Sequence, residues 1–276
     1  MITPEEEDYI QTHAYIPEHI LGYGRAMSGG EPFLLDGYLV YRRKKELILI
    51  GYPLNKPFQK EDLGQILEKA RQEWTPRQIA VIAPQLPEGM DSRESDVFYR
   101  LDLATLRPSA KVRNMVQRAS QEVVVEEDRD LKREHRKLMT EFLRSISLDN
   151  STRFLYDKIP DYLRSVSTSR LFSARDRRGH LRGFDIAEFG AAGYAFYLFN
   201  IRSRKNAVPG ISDLLLHELI QEAKEQNKVY LNLGLGIHPG VAFFKKKWGG
   251  YPFLEYAAGF SAPRESQLPA SLVQKL

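Results

Sequence analysis

Cysteine is absent from the 276 residues, which excludes disulfides, thiol nucleophiles and Cys-ligated zinc or iron–sulfur sites. No apolar run reaches the roughly 18 residues that a membrane span requires, so no transmembrane segment is expected. The acidic start MITPEEEDYI lacks the basic and apolar regions of a secretory signal, which points to a cytoplasmic protein. Histidine is sparse: the 6 residues at 13, 19, 135, 180, 217 and 238 are too scattered for a ligand set, and no metal is expected. There is no Gly-x-Ser-x-Gly elbow, no phosphate loop ending in Gly-Lys-Ser/Thr and no His-Glu-x-x-His helix. A net charge of +4 is small for this length and does not by itself imply nucleic acid.

What is present is an ordinary globular composition, 42% hydrophobic and 28% charged, long enough for one composite domain or two smaller ones. The first half reads as a short helical start, strands over Leu35–Arg42 and Glu46–Tyr52, a helix over Lys60–Trp74, and strands over Gln78–Ala83 and Asp96–Leu103. Pro108 and its polar neighbours interrupt both periodicities over Ala104–Ala110, the expected boundary between units 1–105 and 106–276. The second half opens with a basic amphipathic helix, Ser109–Ser120, and a β-branched strand, Glu122–Glu126. Asp128 is the expected N-cap of a helix running to about Ile146, and another helix covers Tyr156–Val166. Strands over Arg170–Ala174, Leu181–Glu188 and Gly193–Ile201 follow, then a helix over Ser212–Gln226, a strand over Val229–Gly234, a helix over Pro239–Trp248 and a strand over Tyr251–Phe260.

Three basic clusters lie in the second half: Arg175-Asp176-Arg177-Arg178, Arg202-Ser203-Arg204-Lys205 and Lys245-Lys246-Lys247. Such clusters hold phosphates, and equally form solvated turns and helix faces. Carboxylates suited to general-base work fall on strands, at Asp185, Glu188 and Glu255. Glu188 is the first choice because a glycine turn follows it at the strand end. His238 is the one histidine at the edge of the strand-turn-helix junction spanning Tyr230–Gly250.

The order strand, helix, helix, three antiparallel strands, helix, strand, helix, strand from Glu122 to Phe260 resembles the GNAT acyltransferase fold. The first half carries a shorter version of the same order. The chain therefore resembles the tandem-GNAT arrangement of Fem-type aminoacyltransferases and of the catalytic region of phosphatidylglycerol lysyltransferases. This implies an α+β class with two GNAT-like units, each a mostly antiparallel twisted sheet flanked by helices.

The resemblance implies a donor site between the strand ending in Asn200 and Ile201 and the turn Val208–Ser212. Gly210, Ile211 and Ser212 stand at the family's phosphate-binding glycine loop, where backbone N–H groups open a helix. Ala207 replaces the family's preceding Arg or Gln, leaving Arg204 and Lys205 as compensating cations. The tyrosine that many acetyltransferases carry on the next helix is replaced by Lys245, and the asparagine near that helix start by His238. The pair Phe244-Lys245 with Trp248-Gly249-Gly250 resembles the Fem-type pattern, in which a lysine offsets charge on a tetrahedral intermediate or a phosphate. Expected catalytic residues are thus Lys245, Glu188 and His238. The expected co-substrate is acyl-CoA, acetyl-CoA by default, passing its acyl group to a small-molecule amine. The alternative is an aminoacyl-tRNA donor and a lipid or peptidoglycan-precursor amine as acceptor, and a third reading is a GNAT-like binding module without catalysis.

Overall fold

The computed structural model describes residues 1–128, 130–145 and 150–261. The chain opens with α1 (Pro4–His13), a 3-10 turn at Pro17–His19 and α2 (Leu21–Ser28). The hairpin strands β1 (Glu31–Leu35), β2 (Tyr38–Arg43) and β3 (Glu46–Ile50) come next. Helix α3 (Lys60–Trp74), β4 (Gln78–Ala83) and β5 (Asp91–Asp102) complete the first half. The second half runs α4 (Ala110–Glu122), β6 (Val123–Asp128), α5 (Arg133–Arg144), α6 (Asn150–Ser165), β7 (Ser169–Asp176), β8 (Leu181–Glu188) and β9 (Tyr194–Arg202). It ends with α7 (Ile211–Glu225), β10 (Tyr230–Leu235), α8 (Pro239–Lys247) and β11 (Tyr251–Phe260).

All eleven strands join one mixed sheet in the order β1-β2-β3-β4-β11-β5-β10-β9-β8-β7-β6. Each half contributes one parallel pair, β3 with β4 across α3 and β9 with β10 across α7, because a parallel pair needs a crossover and a helix supplies it. The Ala104–Ala110 boundary falls in the connection from β5 to α4, but the sheet continues across it. Strand β11, from the end of the chain, lies between β4 and β5 and pairs with both. Helices α1, α2, α5 and α6 cover one face of the sheet. Helices α4 and α7 with Trp248 cover the other over the second half, and α3 covers it over the first. No described helix is long and apolar enough to cross a membrane.

The strongly periodic elements lie where the sequence placed them, and three differences have physical causes. Strand β1 and helix α2 were not expected: Pro32 and a two-residue Asp36-Gly37 turn hide a short edge strand, and the glycines at 22 and 24 weaken a helical pattern. Asp128 is not an N-cap. It ends β6 opposite Leu171, and its carboxylate turns to Arg175 at 2.9 Å and to Lys132, so α5 begins only at Arg133. Ile146, the expected end of that helix, and residues 262–276 of the second unit lie outside the described residues. The cluster at Arg175–Arg178 is likewise structural: Arg175 pairs with Asp128 and Glu134, while Asp176 accepts the turn N–H groups of Arg178 and His180.

Since β11 fastens both halves, its buried side chains hold the whole sheet. Tyr256 is buried with its ring edge-on to Phe98 at 5.5 Å. Tyr256→Ala is expected to cost about 3–5 kcal/mol and to lower the urea midpoint identically for probes in either half; two separate transitions would contradict this coupling.

Candidate functional site

Strands β9 and β10 start as a regular parallel pair and then part. Ladder contacts stop at Tyr230↔Tyr194, Leu231↔Ala195 and Asn232↔Phe196, although β9 stays paired with β8 as far as Arg202. The cause is local: the Asn232 side-chain carbonyl takes the N–H of Gly234 at 2.8 Å, and Gly234 adopts φ 75°, a bulge that turns the strand away from its neighbour. A Cβ on Gly234 would make only ordinary contacts, 3.7 Å from the Lys245 ammonium and 3.5 Å from the Phe196 ring, so it is the positive φ rather than space that calls for glycine here.

Lys245 reaches this point from α8. It is 3% exposed, donates its ammonium to the Leu235 carbonyl, and lies 5.6 Å from the Tyr99 ring. Burial drives its pKa down to about 7, opposed by the field of Asp96. Asp96 holds the loop beyond the bulge: its carboxylate accepts the N–H groups of Gly236 at 3.1 Å and Ile237 at 2.8 Å. Ile237 is thereby kept at φ 58°, a conformation unfavourable for a β-branched residue and a strain that clusters at functional sites. His238 is exposed and caps α8, its Nδ1 accepting the Gly240 N–H at 3.0 Å. The three lysines of the run have three fates: Lys245 is buried, Lys246 is exposed, and Lys247 pairs with Asp213 at 2.5 Å.

The turn into α7 carries the expected donor-binding residues. Asn200 and Ser212 are brought together: the Ser212 hydroxyl donates to Asn200 at 2.9 Å, and the Asn200 amide donates to Asp185 at 2.5 Å. Asp185 is fully buried, which pushes its pKa well up, opposed by side-chain hydrogen bonds from Asn200 and Tyr197. Ile201 is core. Arg204 is tied to the Ser145 carbonyl at 2.8 Å, while Lys205 is exposed. Gly210, at φ 83°, backs onto α4, where a Cβ would collide with the Met115 carbonyl. Ile211 is buried, and Asp213 in the first helical turn accepts the Trp248 indole N–H at 2.9 Å.

Glu188 lies on the opposite face from Lys245. It is fully buried, accepts the Tyr162 hydroxyl from α6, and takes the N–H groups of Phe189 at 3.1 Å and Gly190 at 2.9 Å, so its carboxylate anchors the turn after β8. The structure does not bring Glu188, His238 and Lys245 into one hydrogen-bonded set. Asp96 and Asn232, which shape the site, carry no sequence signal: Asp96 ends a polar run in its strand, and Asn232 is a single polar position in an apolar one. No cluster of metal ligands occurs among the described residues.

No protein-family model matches the sequence, and no curated protein matches it either. Solved structures do. The C-terminal domain of an Agrobacterium fabrum protein described as a lysylphosphatidylglycerol synthetase is 15% identical, with TM-score 0.61 over 98% of this chain and 94% of that one. FemX is 13% identical, with TM-score 0.60 over 93% and 96%. A GCN5-related N-acetyltransferase from Kribbella flavida is 11% identical, with TM-score 0.53 over 89% and 96%. The chain has the GNAT fold, in the α+β arrangement that the element order predicted.

A lysine whose folded-state pKa falls from 10.5 to about 7 destabilises the fold fully below pH 7, and that cost fades as pH rises toward 10.5. Lys245→Met is therefore expected to raise Tm more at pH 6 than at pH 9, measured by calorimetry. An equal shift at both pH values would show that the ammonium is not desolvated.

Proposed function

We propose that the chain is an acyl-group transferase that acts at the parting of β9 and β10, with an amine as acceptor and an aminoacyl ester such as charged tRNA as donor. The observation that carries this reading is the buried ammonium of Lys245 at the strand splay. In a site closed to water such a cation acts strongly on developing negative charge.

In the proposed reaction the amine nitrogen bonds to the ester carbonyl carbon, the carbonyl oxygen gains negative charge, and the carbon–oxygen bond to the leaving group then breaks. Lys245 stabilises the oxyanion. With a pKa near neutrality it is also able to pass a proton to the departing oxygen. Glu188 is committed to Tyr162 and two backbone N–H groups, so the proton released by the amine has a more direct route through water or the backbone carbonyls left out of the β9–β10 ladder.

The turn into α7 favours an ester over a CoA thioester. A diphosphate cradle needs unoccupied N–H groups and positive potential at the helix start. Here α4 backs onto Gly210, Ser212 turns inward to Asn200, Arg204 is tied to a carbonyl, and Asp213 already places a carboxylate in the first turn.

The test is a transfer assay with charged tRNA and with acetyl-CoA, each with a panel of amine acceptors. Transfer from charged tRNA alone is expected, and transfer from acetyl-CoA would overturn the donor assignment. Lys245→Ala is expected to lower kcat about 10²–10³-fold with little change in KM; unchanged kcat would remove Lys245 from the mechanism.

A further inference from the structure

Between α4 and α7, along the part of α7 away from the Gly210 turn, runs a groove of about 630 Å³. Each helix gives it one stripe at three- and four-residue spacing. Helix α4 supplies Arg113, Val116, Gln117 and Ser120. Helix α7 supplies His217, Ile220, Gln221 and Lys224. Val112, Ile220 and Trp248 are buried and close the floor, while Arg113, Asn114, Gln117 and Lys224 stand exposed along the walls. The groove is thus open to solvent above packed core, and its volume falls in the range of roughly 300–1,000 Å³ typical of small-molecule sites.

Its charge has one sign. No carboxylate is among the lining residues, although α7 carries Glu218, Glu222 and Glu225 on its other sides. Elsewhere in this half the cations are neutralised, Arg175 by Asp128 and Glu134 and Lys247 by Asp213. Among the described residues Arg113 and Lys224 have no ion-pair partner. One Arg113 nitrogen donates to the Pro108 carbonyl at 2.5 Å, which tethers the guanidinium beside the groove and leaves its other N–H donors for a ligand. The rest of the wall is rich in side-chain amides, from Asn114, Gln117 and Gln221, the last 3.5 Å from the His217 ring.

Two unpaired cations on a wall without carboxylates suit an oxygen-rich anion, and arginine with lysine suits phosphate. Amide side chains both donate and accept, which matches the edge of a nucleobase. A bare inorganic anion would leave the amides and the apolar floor unused, and an alkyl chain would leave the amides without partners. We infer that the groove is a binding site for a nucleoside monophosphate: Arg113 and Lys224 hold its phosphate, and the amides of Asn114, Gln117 and Gln221 meet its base above the apolar floor. The site is separate from the strand splay and goes beyond the transfer reading without resting on it.

The experiment is isothermal titration of the full chain with AMP, adenosine and inorganic phosphate, without any acyl donor or amine acceptor. Saturable binding of AMP is expected, with adenosine and phosphate each weaker by about tenfold or more. No AMP binding at millimolar concentration would overturn the assignment. Adenosine or phosphate binding as tightly as AMP would do the same, since the groove would then read only one half of the ligand. Arg113→Gln and Lys224→Gln locate the ligand, and because both side chains are exposed these changes leave the core intact. Each is expected to weaken AMP on the order of tenfold; unchanged affinity in either would place AMP outside the groove.

Discussion

Everything near the strand splay is arranged around one unfavourable act, the removal of the Lys245 ammonium from water. A cation so placed survives only where the fold gives it an acceptor and a nearby opposite field, and the two are supplied by the Leu235 carbonyl and by Asp96. Neither is in place without the bulge. Asn232 diverts the Gly234 N–H from the ladder, Gly234 takes up the positive φ of the bulge, and Asp96 holds Ile237 in its strained conformation just before α8. Six residues from three elements and the loop between two of them therefore form one unit.

The same economy explains the turn into α7. A GNAT-fold protein that holds a diphosphate there needs an open helix start; here α4 crosses behind Gly210 and the polar side chains of the turn face inward. Asp213 joins α7 to α8 through Trp248 and Lys247, so the turn also supports the lysine helix. The opposite face of the sheet holds the other concentration of buried charge, Glu188 and Glu18, within a layer of tyrosines.

The fold was legible wherever periodicity was strong. The second half carries long helices and alternating strands, and their order alone resembles the GNAT arrangement. The first half was less legible because Pro32 and the glycines of α2 blur a short strand and a short helix. Strand β11 was found as a strand, yet its place between β4 and β5 is a matter of long-range pairing that no local pattern encodes. In the site, Lys245 was singled out from its two neighbours because it stands where many acetyltransferases carry a tyrosine and follows Phe244 as in the Fem-type pattern, and it is the buried one of the three. Gly210 was read as a phosphate-loop glycine, whereas its contact with Met115 gives a packing reason for it. Asp96, Asn232 and Glu18 could not be read at all. Asp96 ends a polar run, Glu18 stands beside His19 and Asn232 is alone in an apolar strand, and only burial and partnership distinguish each from a solvent-facing residue.

The account stands on the protonation of a single side chain. Titration of the Lys245 side chain by NMR, with Lys245→Arg to assign its resonance, measures this directly. A midpoint near pH 7 is the result that desolvation at the splay requires. A midpoint near the ordinary lysine value, about 10.4, would mean that water reaches the ammonium, and the site would then have no special electrostatic character.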